Sequence, residues 1–466
     1  MYLSNIPLVT KGVVLLLNDC SSSLSSLTDL LFPSLDFLFT RGISQTQPYS
    51  LVSLSVESLQ NICSDCKAAF TAPTALQLYQ VAECVLPLLK PADADKLVDC
   101  IYETSTILPQ ADMLQGIERL LIHSFSALKE VNEATLGSAN GPLLARGLMV
   151  FASTLKALEQ LSAQYLLPLL EPYLGHVLNL ARWVLMQRKE GELVEAVAQV
   201  YRRVFTSIAG NADSFFPSIA QSILVSKTCY SEDIVKSLVL GVSTLGNEPA
   251  TSAWLGTSFG PLCQQILEEL GKTTDPDLAA TCFELFTKAI EYIPDFFTST
   301  AVLQAVFIAS ENSLKHLSSR ACNSSVLNTL YFFFSSTRLK ASTQPFAAAV
   351  TTLLLTSLSS LHSAANIKAA VLILALRTFF PAEFETGLQA GLSTPLYSSF
   401  TPLDKERCAK CFTHLPSSPV GLMRVLVETV WKIHKGLANV SALIGSELQI
   451  ASQAHSERRA NVDLTV

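Results

Sequence analysis

The chain has 466 residues, 49% of them hydrophobic and 15% charged, with a formal net charge of −7. That composition excludes disorder for nearly the whole length. The acidic balance argues against a general nucleic-acid binder, which needs a clear excess of Lys and Arg, and leans instead towards basic partners.

In chain order, the first apolar run, residues 13–17, has no basic cluster before it and no small-residue cleavage pattern behind it, so it does not read as a signal peptide. Next, Leu59, Cys63, Cys66 and Phe70 are spaced four, three and four apart. This predicts one continuous helix with both sulfurs on the stripe that faces a neighbour. On such a helix, residues three apart have Cβ atoms about 5 to 6 Å from one another, whereas a disulfide wants roughly 3.5 to 4.5 Å. A redox C-x-x-C opens a helix within a strand-helix-strand unit. This pair is placed in mid-helix with no strand nearby and is assigned to packing. The eleven cysteines, an odd number, are scattered singly or at helical spacing and fit a reducing compartment better than a disulfide scaffold. The N-x-S sequons at Asn323 and Asn439 are then idle.

Leu97, Ile101, Thr104 and Leu108 form the next stripe behind Asp93, and Leu144, Leu148, Phe151, Leu155 and Leu158 another. Breaks are expected at Pro91, Leu108-Pro109, residues 137–142, Gly210-Asn211, Gly246-Asn247, Pro294, Pro381 and Pro416. Residues 256–260 match the G-x-S-x-G nucleophile elbow by letter, with Ser258 at its centre. An elbow projects from a sheet, and no strand precedes Gly256. The stretch is predicted to be a loop ending at Gly260, with Pro261 opening the next helix. Asp275 predicts an N-cap with Pro276 at the first helical position, and Leu278, Cys282, Leu285, Ala289 and Tyr292 follow at steps of four, three, four and three.

Residues 341–367 form the longest charge-free stretch, and the mean hydropathy of +0.37 makes a membrane span a question. Thr351, Thr352, Thr356, Ser357, Ser359, Ser360 and His362 interrupt it, which lipid exposure penalises, and no span is assigned. Thr401, Pro402 and Asp404 predict an N-cap, a first-turn proline and a capping-box acid. Cys408, Cys411 and His414 follow at three-residue steps, but His414 is rotated off the stripe of Cys408, Cys411 and Leu415. The two cysteine pairs lie several repeats apart, on the order of 70 Å at about 10 Å per helix layer, against Zn–S bonds of about 2.3 Å. No metal or cofactor is expected. There is no Walker loop, dinucleotide fingerprint or H-E-x-x-H, and no enzyme is assigned.

No stretch alternates with period two. Some twenty helices, hence about ten pairs of roughly forty to forty-five residues, give the period of HEAT and armadillo arrays. The expected fold is all-α: an α-solenoid of HEAT-type antiparallel helix pairs over residues 1–435, stacked into a superhelix with a long concave surface. A last helix and a polar, disordered tail are expected over residues 436–466.

The stretch SVESLQNICSDC, residues 55–66, resembles the small-x-x-small-Leu/Ile-x-Asn-Ile-Cys-x-x-Cys helix of the karyopherin-β nuclear transport receptors, in the transportin-SR and importin-thirteen branch. Two further local matches are residues 194–210 followed by the Phe216-Pro217 helix, and RACNSSV at residues 320–326. The resemblance covers approximately residues 20–435. It implies a receptor that carries protein cargo between cytoplasm and nucleus, binds phenylalanine-glycine nucleoporins and answers to Ran in its GTP form. It further implies correspondence to the C-terminal half of such a receptor, without the arch that supplies the main Ran contact. Transportin-SR grips phosphorylated Arg-Ser cargo with an arginine-rich helix, whose matching positions here are Ala196, Gln199, Arg202 and Thr206. One retained arginine, with Arg203 beside it, does not make a phosphate clamp. Arg202 and Arg203 stand as candidate cargo contacts, or as a solvated helix face. A non-transport scaffold on the same solenoid is the alternative function.

Overall fold

The computed structural model describes residues 7–24, 28–43, 48–86, 89–161, 163–187, 191–226, 231–317, 319–413, 420–439, 442–443 and 445. Among these there are 21 α-helices and no β-strand. Two compact units, Met1–Thr251 and Ser252–Val466, divide the chain. The first holds α1 (Pro7–Asp19), α2 (Ser21–Leu24), α3 (Thr28–Phe37), α4 (Tyr49–Asp65), α5 (Ala72–Val85), α6 (Pro91–Ser105), α7 (Gln110–Phe125), α8 (Gly141–Leu155), α9 (Ala163–Gln187), α10 (Gly191–Ser207), α11 (Phe216–Val225) and α12 (Glu232–Leu245). Then come α13 (Pro249–Leu270), α14 (Pro276–Tyr292), α15 (Thr300–His316), α16 (Arg320–Ser335), α17 (Lys340–Ser357), α18 (Asn366–Phe379), α19 (Pro381–Leu392), α20 (Pro402–Thr413) and α21 (Val420–His434).

Most helices pack chiefly on the helix two places along, while α1 packs on α4 and α21 on α18, three places away. In the first unit one layer runs α4, α6, α8, α10, α12 and the other α5, α7, α9, α11; in the second the layers are α14, α16, α18, α21 and α15, α17, α19, α20. This is the HEAT-type α-solenoid, in which no helix pair buries both of its apolar faces alone. Hydroxyl groups record the repeat length. Ser58, Ser237, Thr329, Ser360 and Tyr397 donate from one repeat to another, to the carbonyls of Val14, Ala198, Phe283, Leu314 and Leu355, which lie 44, 39, 46, 46 and 42 residues away. Every such bond satisfies a buried or half-buried hydroxyl and fixes the register of neighbouring repeats.

Local signals set several helix starts. Asp275 accepts from the Asp277 N–H at 2.9 Å ahead of Pro276. Thr401 and Asp404 form the reciprocal capping box, Thr401 N–H to Asp404 Oδ2 at 3.0 Å and Asp404 N–H to Thr401 Oγ1 at 3.2 Å. Pro91 and Pro381 open α6 and α19 as expected. Pro416 and residues 446–466 lie outside the described residues. Asn323 is buried.

Three expectations are corrected. The helix α4 stops at Asp65; Cys66 has φ −111° and ψ 15°, and a 3-10 turn over Lys67–Ala69 carries the chain to Phe70. The stripe from Leu59 to Phe70 is still entirely buried, so its period reports burial beyond the end of the helix. Similarly α6 ends at Ser105, ahead of Leu108, and Asp93 lies inside its first turn, accepting from Ser53 Oγ at 2.9 Å. Finally, α13 runs straight through Gly260 and Pro261. Leu255, Phe259, Leu262 and Ile266 are all buried at helical spacing on both sides of the proline. Together they outweigh the roughly 3 kcal/mol an interior proline costs.

Residues 341–367 split into α17 and α18 around a 3-10 turn at Ser363–Ala365, and no described helix is long and apolar enough to cross a membrane.

Asp213 shows a non-local cap. Its carboxylate accepts from the N–H groups of Ala250 and Thr251 at 2.9 and 2.8 Å and from Thr251 Oγ1 at 2.7 Å, at the start of α13. Partial burial pushes its pKa up, but the bonds from Thr251 and Ala250 outweigh this and hold it below the usual value. A carboxyl with a depressed folded pKa stabilises above its unfolded pKa and loses that contribution as pH falls through the folded one. Asp213→Ala is expected to cost about 1 kcal/mol in urea unfolding at pH 7. The difference from the parent should shrink below pH 4, and a pH-independent difference would contradict the cap.

Candidate functional site

Arg202 and Arg203 lie in the last two turns of α10. The buried side of that helix carries Val197, Val200, Tyr201, Val204 and Phe205, and both arginines are half-buried at its edge. Arg202 Nη1 donates to Asp233 Oδ1 of α12 at 2.9 Å, and Arg203 Nη2 stands 3.5 Å from Asp95 Oδ1 of α6. Their charges are thus engaged by carboxylates on other repeats, neither isolated nor freely solvated. Of the other matching positions, Ala196 is buried, Gln199 is half-buried and Thr206 turns its hydroxyl back on the Arg202 and Arg203 carbonyls. This face offers paired charge rather than a cluster of arginine forks.

A second polar site, absent from the sequence reading, lies between α4 and α6. A cavity of about 340 Å³ is lined by Gln60, Asn61, Asp99, Tyr102, Glu103 and Lys156, among others. Gln60 Nε2 donates to Asp99 Oδ2 at 3.2 Å, Lys156 pairs with Asp99 and stands over the Tyr102 ring, and Lys67 pairs with Glu103 at 2.7 Å. Gln60 and Asp99 are 39 residues apart and Lys67 and Glu103 are 36 apart. The signal in the sequence is complementary polar residues one repeat apart, which cannot be read until the register is known.

The thiols are packing. Burial pushes the Cys63 thiol well up from its ordinary value, with a hydrogen bond to Cys100 acting the same way. Cys66 donates to the Ser21 carbonyl at 3.4 Å, and burial pushes its pKa up as well. The pair closes α4, where the helix's negative end disfavours a thiolate, the reverse of a redox C-x-x-C. Cys408 is buried on α20, and burial pushes its pKa far up. His414 lies outside the described residues. Among the described residues, no group of three or more His, Cys, Asp or Glu is placed to hold a metal ion. The Ser258 hydroxyl on α13 meets only the Thr257 hydroxyl, at 3.4 Å, among the described residues. With no turn at this point of the helix there is no elbow.

In the folded protein, iodoacetamide at pH 8 is expected to leave Cys63 and Cys408 unmodified while alkylating the exposed Cys84. Cys63→Ala should cost about 1–2 kcal/mol of stability. Rapid alkylation of Cys63 in native protein, read by mass spectrometry, would contradict the packing role.

No protein-family model matches the sequence, and no curated protein matches it. The fold is similar to that of a solved structure of importin-13 in its cytosolic state, with a TM-score of 0.67 and 14% identity over 93% of this chain. The match takes in 52% of the importin-13 chain, so this chain spans about half the length of the structure it matches. At that identity the likeness shows an importin-like fold.

Proposed function

We propose that the chain acts as a karyopherin-type nuclear transport receptor that binds protein cargo on its helical repeats and shuttles between cytoplasm and nucleus. The observation that carries this reading is the importin-like fold running through 93% of the chain. Independent support comes from the sequence resemblance at residues 55–66, which lie on α4. In this reading recognition falls to the paired charges carried between stacked helices, such as Arg202 with Asp233 and Lys156 with Asp99. Phenylalanine-glycine nucleoporins and Ran in its GTP form are the partners this reading names, and Arg202 and Arg203 are its candidate cargo contacts.

The test is capture on the immobilised chain with two purified probes, a phenylalanine-glycine repeat fragment and Ran locked in its GTP form, followed by capture of cargo from lysate with and without that Ran. The reading expects the repeat fragment to bind and the captured cargo to change with Ran. Arg202→Glu with Arg203→Glu should reduce cargo capture while leaving the repeat fragment bound. A chain that ignores both the repeats and Ran and holds a constant partner set is a static scaffold.

A further inference from the structure

Among the described residues, the ion pairs that join repeats are gathered in the first unit. In the layer of α4, α6, α8, α10 and α12, Lys67 meets Glu103 at 2.7 Å, Lys96 meets Glu57 at 3.4 Å, Arg202 meets Asp233 at 2.9 Å, Arg203 meets Asp95 at 3.5 Å, and Lys156 pairs with Asp99. In the other layer Arg119 of α7 stands 3.8 Å from Glu83 of α5. The second unit is held differently. Its described pairs are Lys288 with Glu291, Lys315 with Glu311, Lys410 with Glu406 and Arg424 with Glu428, each three or four residues apart on one helix. Its repeats are joined by rings and hydroxyls, such as Phe297 on Phe333, Phe334 on Phe380 and Thr329 on the Phe283 carbonyl.

The pairs of the first unit converge on α6. Asp95, Asp99 and Glu103 recur at steps of four and form one acidic stripe along it. Like charges at that spacing repel and weaken a helix that stands alone. Here each acid is answered from a different place: Asp95 by α10, Asp99 by the 3-10 turn after α8, and Glu103 by the turn after α4. Because α8 packs on both α6 and α10, the pair of Arg203 with Asp95 straddles it. Neighbouring acids on the stripe are roughly 6 Å apart, and Coulomb energy falls inversely with distance. The contacts at 2.7 and 3.5 Å are therefore the larger effect, and attraction exceeds repulsion. All ten side chains of the layer's five pairs are 23–49% exposed, so dissolved ions reach every one.

We propose that α6 and the bases gathered on it form an ionic clasp, which loosens the repeats of the first unit as ionic strength rises and leaves those of the second unit closed. A single exposed pair contributes little. Five on successive interfaces act together, because a linear array is held by the contacts between neighbours. Apolar and ring contacts are not screened by salt, and an ion pair within one helix joins no repeats, so the second unit has nothing comparable to lose. The clasp belongs to the array itself and is independent of the transport reading.

The test is hydrogen exchange of the full chain, read by mass spectrometry in about 0.1 M and about 1 M NaCl, between which the screening length falls from about 10 Å to about 3 Å. Exchange in α6, α8 and α10 should rise by about fivefold or more, against less than about twofold in α14, α16 and α18 of the same molecules. Asp95→Asn with Asp99→Asn should raise exchange in α6 and α8 at the lower salt and remove most of their response to the higher. Arg203→Asp alone should loosen α10, and adding Asp95→Arg should restore its protection by reversing the pair. An equal salt response in the two units, or a reversed pair no better protected than Arg203→Asp alone, overturns the proposal. The comparison between units uses unaltered protein and decides the matter even if a variant fails to fold.

Discussion

Phe297→Ala is expected to lower the stability of the second unit by about 3–5 kcal/mol, the cost of truncating a fully enclosed aromatic. Phe297 is 0% exposed in the 3-10 turn Pro294–Thr298 between α14 and α15. Its ring meets Phe259 of α13 at 6.1 Å, Phe286 of α14 at 6.5 Å, Phe296 at 5.1 Å and Phe333 of α16 at 5.2 Å, each edge to face. Three helices therefore share one side chain, and no single neighbour can collapse into the space left behind. From Phe333 the contacts pass to Phe307, then to Phe334 and Phe380, so the ring at Phe297 starts an aromatic series that crosses successive repeats. In a linear array stability is carried by interfaces between neighbours, so the damage should begin locally. Hydrogen exchange in α13, α14 and α16 should accelerate before the unit melts. Phe297→Leu, which keeps most of the volume, should lose less than half as much. A urea midpoint for Phe297→Ala within error of the parent would show that the turn is not a hub.

The fold was legible where the signal is local. Caps such as Asp275 and the box at Thr401 and Asp404 involve residues two or three apart, and a spacing of three and four along the chain fixes which side is buried. Periodicity reports burial, however, and burial outlasts helicity. Phe70 is buried past the end of α4, and the stripe through Phe259 and Leu262 holds α13 together across Pro261. The sites were much less legible. Arg202 and Arg203 could be located on a helix, but Asp233 and Asp95, which set their electrostatics, lie on other repeats. The Gln60 and Asp99 pair, the Asp213 cap and the bond from Arg146 to the Leu89 carbonyl depend in the same way on contacts between residues tens of positions apart, and these exist only once the repeats are stacked.

The same dependence reverses the usual sign of a glycine substitution. In an exposed helix, Gly→Ala stabilises by about 0.5–1 kcal/mol because alanine loses less backbone entropy on folding. Gly256 on the open side of α13, with nothing within 4 Å of an added Cβ, should behave that way. Gly387 on α19 should not. A Cβ there lies 2.3 Å from the Ala348 carbonyl oxygen and 2.7 Å from Thr351 Cβ, and one turn later a Cβ at Gly391 meets Leu355 Cδ1 at 2.7 Å. The backbones of α17 and α19 touch along this line, and Thr352 Oγ1 donates to the Gly387 carbonyl at 3.0 Å. Because the obstacle is backbone, no rotamer change relieves it and the helices must part. Gly387→Ala is expected to destabilise by about 2–3 kcal/mol, the upper range of overpacking, and Gly387→Val by more. Thr352→Val, which removes only the hydroxyl, should cost about 1 kcal/mol. Urea melts of the four variants decide the matter: if Gly387→Ala matches Gly256→Ala in gaining stability, α17 and α19 do not approach as closely as this.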